Sequence, residues 1–332
     1  MATYKEIRGT QIEAVASDPS NPVEGQVWYN TTSQSLKGLG ISTAAFASGG
    51  NTNLARHSMS GTGASTTNAL IFGGRAEPPL PKTANTESYN GTNWTEVNNL
   101  GTARYGLGGA GESYTAALGF GGYITGGGGN FGGTESWNGT NWTEVNDLNT
   151  ARRNGPGAGG STSALFMMAY ASASTPGYVE SWNGTNWTET TDLNTARNGG
   201  MGVGTSNTQA LAFGGELPPG KQSLTESFNG TNWTEVNDLN TARNRANTGG
   251  TYTDAVTFGG YASTESAATE TWNGTNWTTS SATMSTARSR MQSGPMGTST
   301  SAIAAGGTPV NGTTATEEWT GAGPIAKTFT DS

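Results

Sequence analysis

Glu135-Ser136-Trp137-Asn138-Gly139-Thr140-Asn141-Trp142-Thr143-Glu144-Val145-Asn146-Asp147-Leu148 decides how this chain is read, because the chain writes it repeatedly. Near-copies start at Glu87, Glu180, Glu226 and Glu270, and a degenerate one, EEWTGAGPIAKTF, starts at Glu317. The glutamates are 48, 45, 46, 44 and 47 residues apart. Working outward, an arginine in TAR or LAR precedes each copy: Arg56, Arg104, Arg152, Arg197, Arg243 and Arg288. Between arginine and glutamate lies an apolar run ending in Gly-Gly, as in ALIFGG from Ala69 and ALGFGG from Ala117. The third unit departs, reading ALFMMA from Ala164, which puts the fit of that unit in question.

Each unit reads as four short strands, by alternation and by turn residues every 8–12 positions. A small-residue stretch is followed by the Ala-Leu-x-Phe-Gly-Gly run, then Thr-Glu-Ser-Trp, then Asn-Trp-Thr-Glu-Val. The Asn-Gly-Thr-Asn segment predicts a tight hairpin. With Gly139-Thr140 as a two-residue II′ loop, Trp137 and Trp142 face each other as an aromatic cross-strand pair. A I′ turn on Asn-Gly would instead pair Trp with Thr; the first choice brings two rings together in five units. Helical periodicity is weak and confined to Tyr4–Val15.

Composition excludes several classes. Leu, Ile, Val and Phe number 41 of 332 residues, yet aromatics are 9% and charged residues only 12%, unlike a disordered chain. There is no Cys and only one His, His57, so neither a disulfide framework nor a Cys/His metal site can be built. His57 has no activated Ser or Cys beside it and reads as a surface or packing residue. No apolar run is long enough to span a bilayer. A net charge of −8 with few lysines gives no electrostatic case for nucleic acid. The N-terminal MATYKEIRGT lacks an apolar signal-peptide core. The Asn-Gly-Thr and Asn-Trp-Thr sequons are explained by the turns. The acidic runs such as Glu144 to Asp147 lack the spacing of a calcium loop. No cofactor is expected.

A four-stranded unit repeated six times is the signature of a β-propeller. The order Gly-Gly, aromatic, Trp, closed by Arg, resembles the kelch repeat over about 280 of the 332 residues. That resemblance implies an all-β, six-bladed kelch-like propeller with four antiparallel strands per blade and a short N-terminal extension. Residues 1–40 are expected to form an attachment segment and 41–332 the propeller. Phe46 stands 10 residues before Arg56, as the fourth-strand Trp stands before its Arg in most units. Ser42–Ala47 is therefore expected to supply the fourth strand of the last blade; the rival is Ile325–Thr330, with Phe329 as the ring.

Pro22 to Thr32, followed by Leu36-Lys37-Gly38, reads as a short hairpin. The segment resembles one near the start of many bacteriophage virion proteins, especially tail-fibre and tail-associated proteins of marine phages. This resemblance implies attachment to other virion proteins through the N-terminal part, an outward-facing propeller, and a place on the phage particle after synthesis in the host cytoplasm without a signal peptide. A homo-oligomer is compatible with it.

The loops between second and third strands vary among units and share one face with the loops between blades. They supply the candidate ligand contacts Arg75, Glu77, Tyr123, Phe131, Tyr178, Glu216, Lys221 and Tyr261. Exposed rings there suit sugars; the plainer reading is local packing. The six arginines, with Glu87, Glu135, Glu180, Glu226, Glu270 and Glu317, read either as a carboxylate clamp of the sialidase kind or as a structural ring. Recurrence with the fold's own period favours the ring. The expected function is non-enzymatic: a virion structural protein of tail-fibre or tail-tip type that binds a host-surface glycan or another virion protein. The alternatives are a propeller glycosidase or lyase, and an intracellular kelch interaction module.

Overall fold

Small residues open each repeat because neighbouring blades meet backbone to backbone at the centre. A Cβ on Gly157 would run into the carbonyl of Gly109, and one on Gly294 into that of Gly61. The computed structural model describes residues 12–23, 25–76, 82–124, 129–171, 177–291, 294–308 and 312–329. They contain strands and no helix. The chain divides into two compact units, Ala45–Thr320 and Met1–Ala44 with Gly321–Ser332.

The larger unit is an all-β propeller. Five four-stranded antiparallel sheets follow one another. Their innermost strands are Ser60–Ser65, Gly108–Ser113, Gly157–Gly160, Met201–Ser206 and Asn247–Gly250. The sixth sheet joins Ser301–Ala305, Thr316–Thr320 and Ala45–Ser48, with an inner bridge from Gly297 to Ala302. Gly63 bridges Met296, which brings the first and last blades together. The third unit does form a blade, correcting the doubt over ALFMMA. Met168 takes the left-handed conformation (φ 49°) that Gly73 holds (φ 65°) in the first blade, and Met167, Met168 and Ala169 are all buried.

The hairpins have the expected register. Trp137 lies opposite Trp142, Asn138 N–H donates to the Asn141 carbonyl, and Gly139 has φ 92°. The same pairing holds for Tyr89 with Trp94, Trp182 with Trp187, Phe228 with Trp233 and Trp272 with Trp277. Asn138 Oδ1 accepts from Thr140 N–H and Asn141 N–H, so the first Asn shapes its own turn.

Ala45–Ser48 closes the last blade, with Phe46 opposite Trp319 and the rings 5.1 Å apart. The closing strand is thus N-terminal, shifted slightly from Ser42–Ala47. Gly323–Thr328 pairs instead with Ser35–Ser42 in the smaller unit. The boundary expected at 40/41 therefore lies after Ala44, and the C-terminal residues from 321 leave the propeller. Within the smaller unit, Val27–Asn30 and Ser35–Ser42 form the expected hairpin, and Glu13–Val15 runs parallel to Val27–Asn30. Glu13–Val15 is thus strand where weak helical periodicity appeared; residues 1–11 lie outside the described residues. Trp28 is buried there and donates to Asp18, which also takes Asn30 and Lys37.

The blade interfaces rest on one repeated contact. The indole N–H of the fourth-strand Trp donates to the third-strand Thr of the preceding blade: Trp94 to Thr316, Trp142 to Thr86, Trp187 to Thr134 and Trp277 to Thr225, at 2.9–3.1 Å. The third blade has Val179 in place of that Thr, and Trp233 donates to the Thr191 carbonyl instead. The closing strand offers Phe46, which has no N–H; its ring meets Phe258 edge-on at 5.3 Å, and the buried Thr269 hydroxyl is left without a partner. Phe46→Trp is expected to restore that bond and stabilise the propeller by about 0.5–1.5 kcal/mol. A thermal melt should show a higher Tm; an unchanged or lower Tm contradicts this account of the closing seam.

Candidate functional site

Each arginine at the end of a repeat enters the next blade buried, and a buried guanidinium needs a fixed counter-charge. The structure supplies one each time. Arg56 pairs with Glu87, Arg104 with Glu135, Arg152 with Glu180, Arg197 with Glu226 and Arg288 with Glu317, at 2.5–2.8 Å. Arg243 pairs with Glu270 in the same way. The six arginines are at most 1% exposed and the six glutamates at most 5%. The second carboxylate oxygen accepts a backbone N–H three residues before the arginine, from Asn53, Gly101, Asn149, Asn194, Asn240 or Ser285. The guanidinium also donates to carbonyls at the ends of the Gly-Gly run, as Arg56 does to Gly73 and Arg288 to Gly306. Burial pushes Arg56 down to about 10, against the pull of Glu87, so the guanidinium stays charged at neutral pH. These twelve residues are committed to one another and to the backbone.

Two residues beyond each arginine the chain turns at the propeller axis. Ser58, Gly106, Asn154, Gly199, Arg245 and Arg290 all have φ between 51° and 65°. Their backbones form a closed circle. Gly106 N–H donates to the Ser58 carbonyl, Asn154 to Gly106, Gly199 to Asn154, Arg245 to Gly199, Arg290 to Arg245 and Ser58 to Arg290, at 2.7–3.1 Å. Left-handed backbone costs about 1–2 kcal/mol for an ordinary L-residue, so four non-glycine side chains are held here against local preference. Over this circle lies a cavity of about 180 Å³ to which all six blades contribute. Its described lining includes His57, Arg75, Arg245 and Arg290, with Tyr105 and Asn154, and no Asp or Glu.

The loop residues singled out by sequence fall into separate groups. Arg75 lies in a two-residue strand opposite His57, lines the cavity, and has its guanidinium 5.9 Å from the Tyr105 ring centre. Tyr123 packs on Tyr105 at 5.3 Å and under Arg153 at 4.5 Å; Arg153 also covers Tyr170. Glu216, Lys221 and Tyr261 form a second group. Lys221 Nζ is 2.8 Å from Glu216 Oε1 and 5.4 Å from the Tyr261 ring centre, and Asn244 Nδ2 donates to Glu216 Oε2. The Lys221 hydrogen bond holds the Glu216 carboxyl below its ordinary range. Phe131 lies over the buried Arg104, so it packs in the ring system and not at the cavity. Tyr178 is 40% exposed, and its carbonyl accepts from Arg152. Glu77 lies outside the described residues.

Arg245, Arg290, Arg153, Asn154 and Tyr105 are absent from the sequence-derived set. One signal marks them: they follow the ring arginine by one or two positions, where otherwise matching repeats diverge into Arg-His-Ser, Arg-Tyr-Gly, Arg-Arg-Asn, Arg-Asn-Gly, Arg-Asn-Arg and Arg-Ser-Arg.

No protein-family model and no curated protein matches the chain. Among solved structures, that of YjhT superposes with a TM-score of 0.64 over 83% of this chain and 99% of its own, at 12% identity. That likeness shows the propeller fold.

Glu180→Gln leaves Arg152 buried with an uncompensated charge, and is expected to cost about 3–5 kcal/mol of stability. Chemical denaturation should show a lower midpoint. A midpoint equal to that of the wild type contradicts a structural role for the pairs.

Proposed function

We propose that this protein is a binding propeller without catalytic activity: a phage virion structural protein of the tail-fibre or tail-tip kind, whose loop face takes up a host-surface glycan or another virion protein. The observation that carries the binding reading is the axial cavity. It is walled by the part of each repeat that diverges, while the twelve charged residues that recur are consumed by ion pairs and backbone. Among its described lining residues the cavity presents cations, an amide and a phenol ring, and no pair of carboxylates to share acid and base roles. Recognition sites are concave, with a few polar groups fixed on a rigid frame, and the closed circle beneath supplies that frame. The virion reading draws on the likeness of the Pro22–Gly38 hairpin segment to the start of phage tail-associated proteins. The smaller unit is then the part that joins the particle, and the propeller is the part that meets the ligand.

The test has two arms. Antibodies against the propeller should label purified particles under the electron microscope, and the purified protein should bind members of a host-surface glycan array or a second virion protein. Unlabelled particles overturn the virion assignment. Turnover of a host polysaccharide by the purified protein overturns the non-catalytic one.

A further inference from the structure

The cavity rim gathers positive charge in a chain whose net charge is −8. Every ring arginine has its own glutamate, but Arg245 and Arg290 do not. Among the described residues neither guanidinium forms an ion pair or a side-chain hydrogen bond. The two occupy equivalent positions in adjacent blades, and Arg290 N–H donates to the Arg245 carbonyl at 3.0 Å. Arg245 is half-buried and Arg290 exposed. Burial and the neighbouring Arg290 charge both push the Arg245 guanidinium below its ordinary value, while Glu216 and Glu265 act in the opposite sense. Glu216 is engaged with Lys221 and Asn244; Glu265 accepts from the Thr308 hydroxyl at Oε1, while its buried Oε2 has no hydrogen-bond partner among the described residues. Neither lines the cavity. Arg75 and His57 line it too, each already engaged with a partner of its own, so among the described residues the charge without an ion pair at the rim is that of Arg245 and Arg290.

The backbone N–H groups of the circle below are spent on one another, so the donors an entering anion meets are the side chains of the rim. An oxyanion entering from solvent relieves the repulsion between the two guanidiniums, and their planar donor forks match a carboxylate or sulfate. Size narrows the ligand. Cavities for drug-sized molecules run about 300–1,000 Å³; about 180 Å³ suits one sugar ring or its equivalent.

We propose that the axial cavity is an oxyanion site for a monosaccharide-sized acidic ligand, its carboxylate or sulfate held by Arg245 and Arg290 with Arg75 as a third lining cation. This rests on the reading of the loop face as a binding surface and names the chemistry it selects.

Calorimetric titration of the full chain with glucuronate, glucose 6-sulfate and glucose tests it. At least one acidic sugar should bind, the tighter one naming the group recognised, and glucose should not. Binding should weaken at least tenfold in Arg245→Gln and in Arg290→Gln, and should weaken on raising NaCl from about 50 to 500 mM with the wild-type chain, a readout that needs no variant to fold. Equal binding of glucose, no binding of either acidic sugar, or binding indifferent to both substitutions and to salt overturns the proposal. Neutral glycans captured on the array while both acidic sugars fail would overturn the oxyanion site alone and leave the loop-face reading standing.

Discussion

The buried arginine–glutamate pair is the contact on which the rest of this propeller depends. A charged pair out of water is a poor source of net stability, because desolvation offsets most of the attraction. Its value here is positional. One carboxylate oxygen takes the guanidinium and the other takes a backbone N–H just upstream, so the segment entering each blade is fixed at two points. That segment then has one course open to it, a left-handed turn at the axis and a descent into the inner strand. Six copies of that course produce the circle of backbone hydrogen bonds, and the circle produces the floor of the cavity.

The same geometry explains a core built from so few aliphatic residues. Where inner strands crowd the axis, glycine stands at positions where a Cβ would strike the backbone of another blade, as at Gly157 and Gly294. Farther out, the space between blades is filled by rings. Phe72 meets Trp142, Phe120 meets Trp187 and Phe213 meets Trp277 at 4.7–4.8 Å, each pair crossing a blade boundary. A tryptophan buries on the order of 150–250 Å², so one on the fourth strand of five blades, with Phe46 in the sixth, does the packing that several leucines do elsewhere. The indole N–H adds a directional bond to the threonine of the neighbouring blade. The two departures from that scheme, Val179 and Phe46, are the places where the bond is rerouted or lost.

Much of this is legible in the sequence. The repeat period, the II′ hairpin with facing rings, the use of an N-terminal strand to close the last blade and the arginine–glutamate correspondence all follow from spacing, because each is a local or strictly periodic feature. The third blade was harder. ALFMMA looked unfit because Gly-Gly supplies a left-handed residue cheaply, yet Met168 adopts that conformation within a buried, fully packed surround. The pairing of the C-terminal strand with Ser35–Ser42 was missed because nothing periodic announces it. The cavity residues were missed for a related reason. The loops between second and third strands differ widely in length, whereas Arg245 and Arg290 sit in the connection between blades, where the fourth-strand Trp precedes its Arg by 10 residues in four units and 11 in one. Their significance appears only when six blades bring the positions two beyond each arginine to one point.

The six blades are locked into one closed ring whose centre forms the floor of the axial cavity. Backbone amide exchange, resolved residue by residue, tests it most directly. The amides of Ser58, Gly106, Asn154, Gly199, Arg245 and Arg290 should all be protected from solvent, and to a similar degree, because each donates within the same circle. Rapid exchange at Ser58, whose N–H donates to the Arg290 carbonyl, beside slow exchange at the other five would mean that the first and last blades part in solution, and would contradict the closed ring.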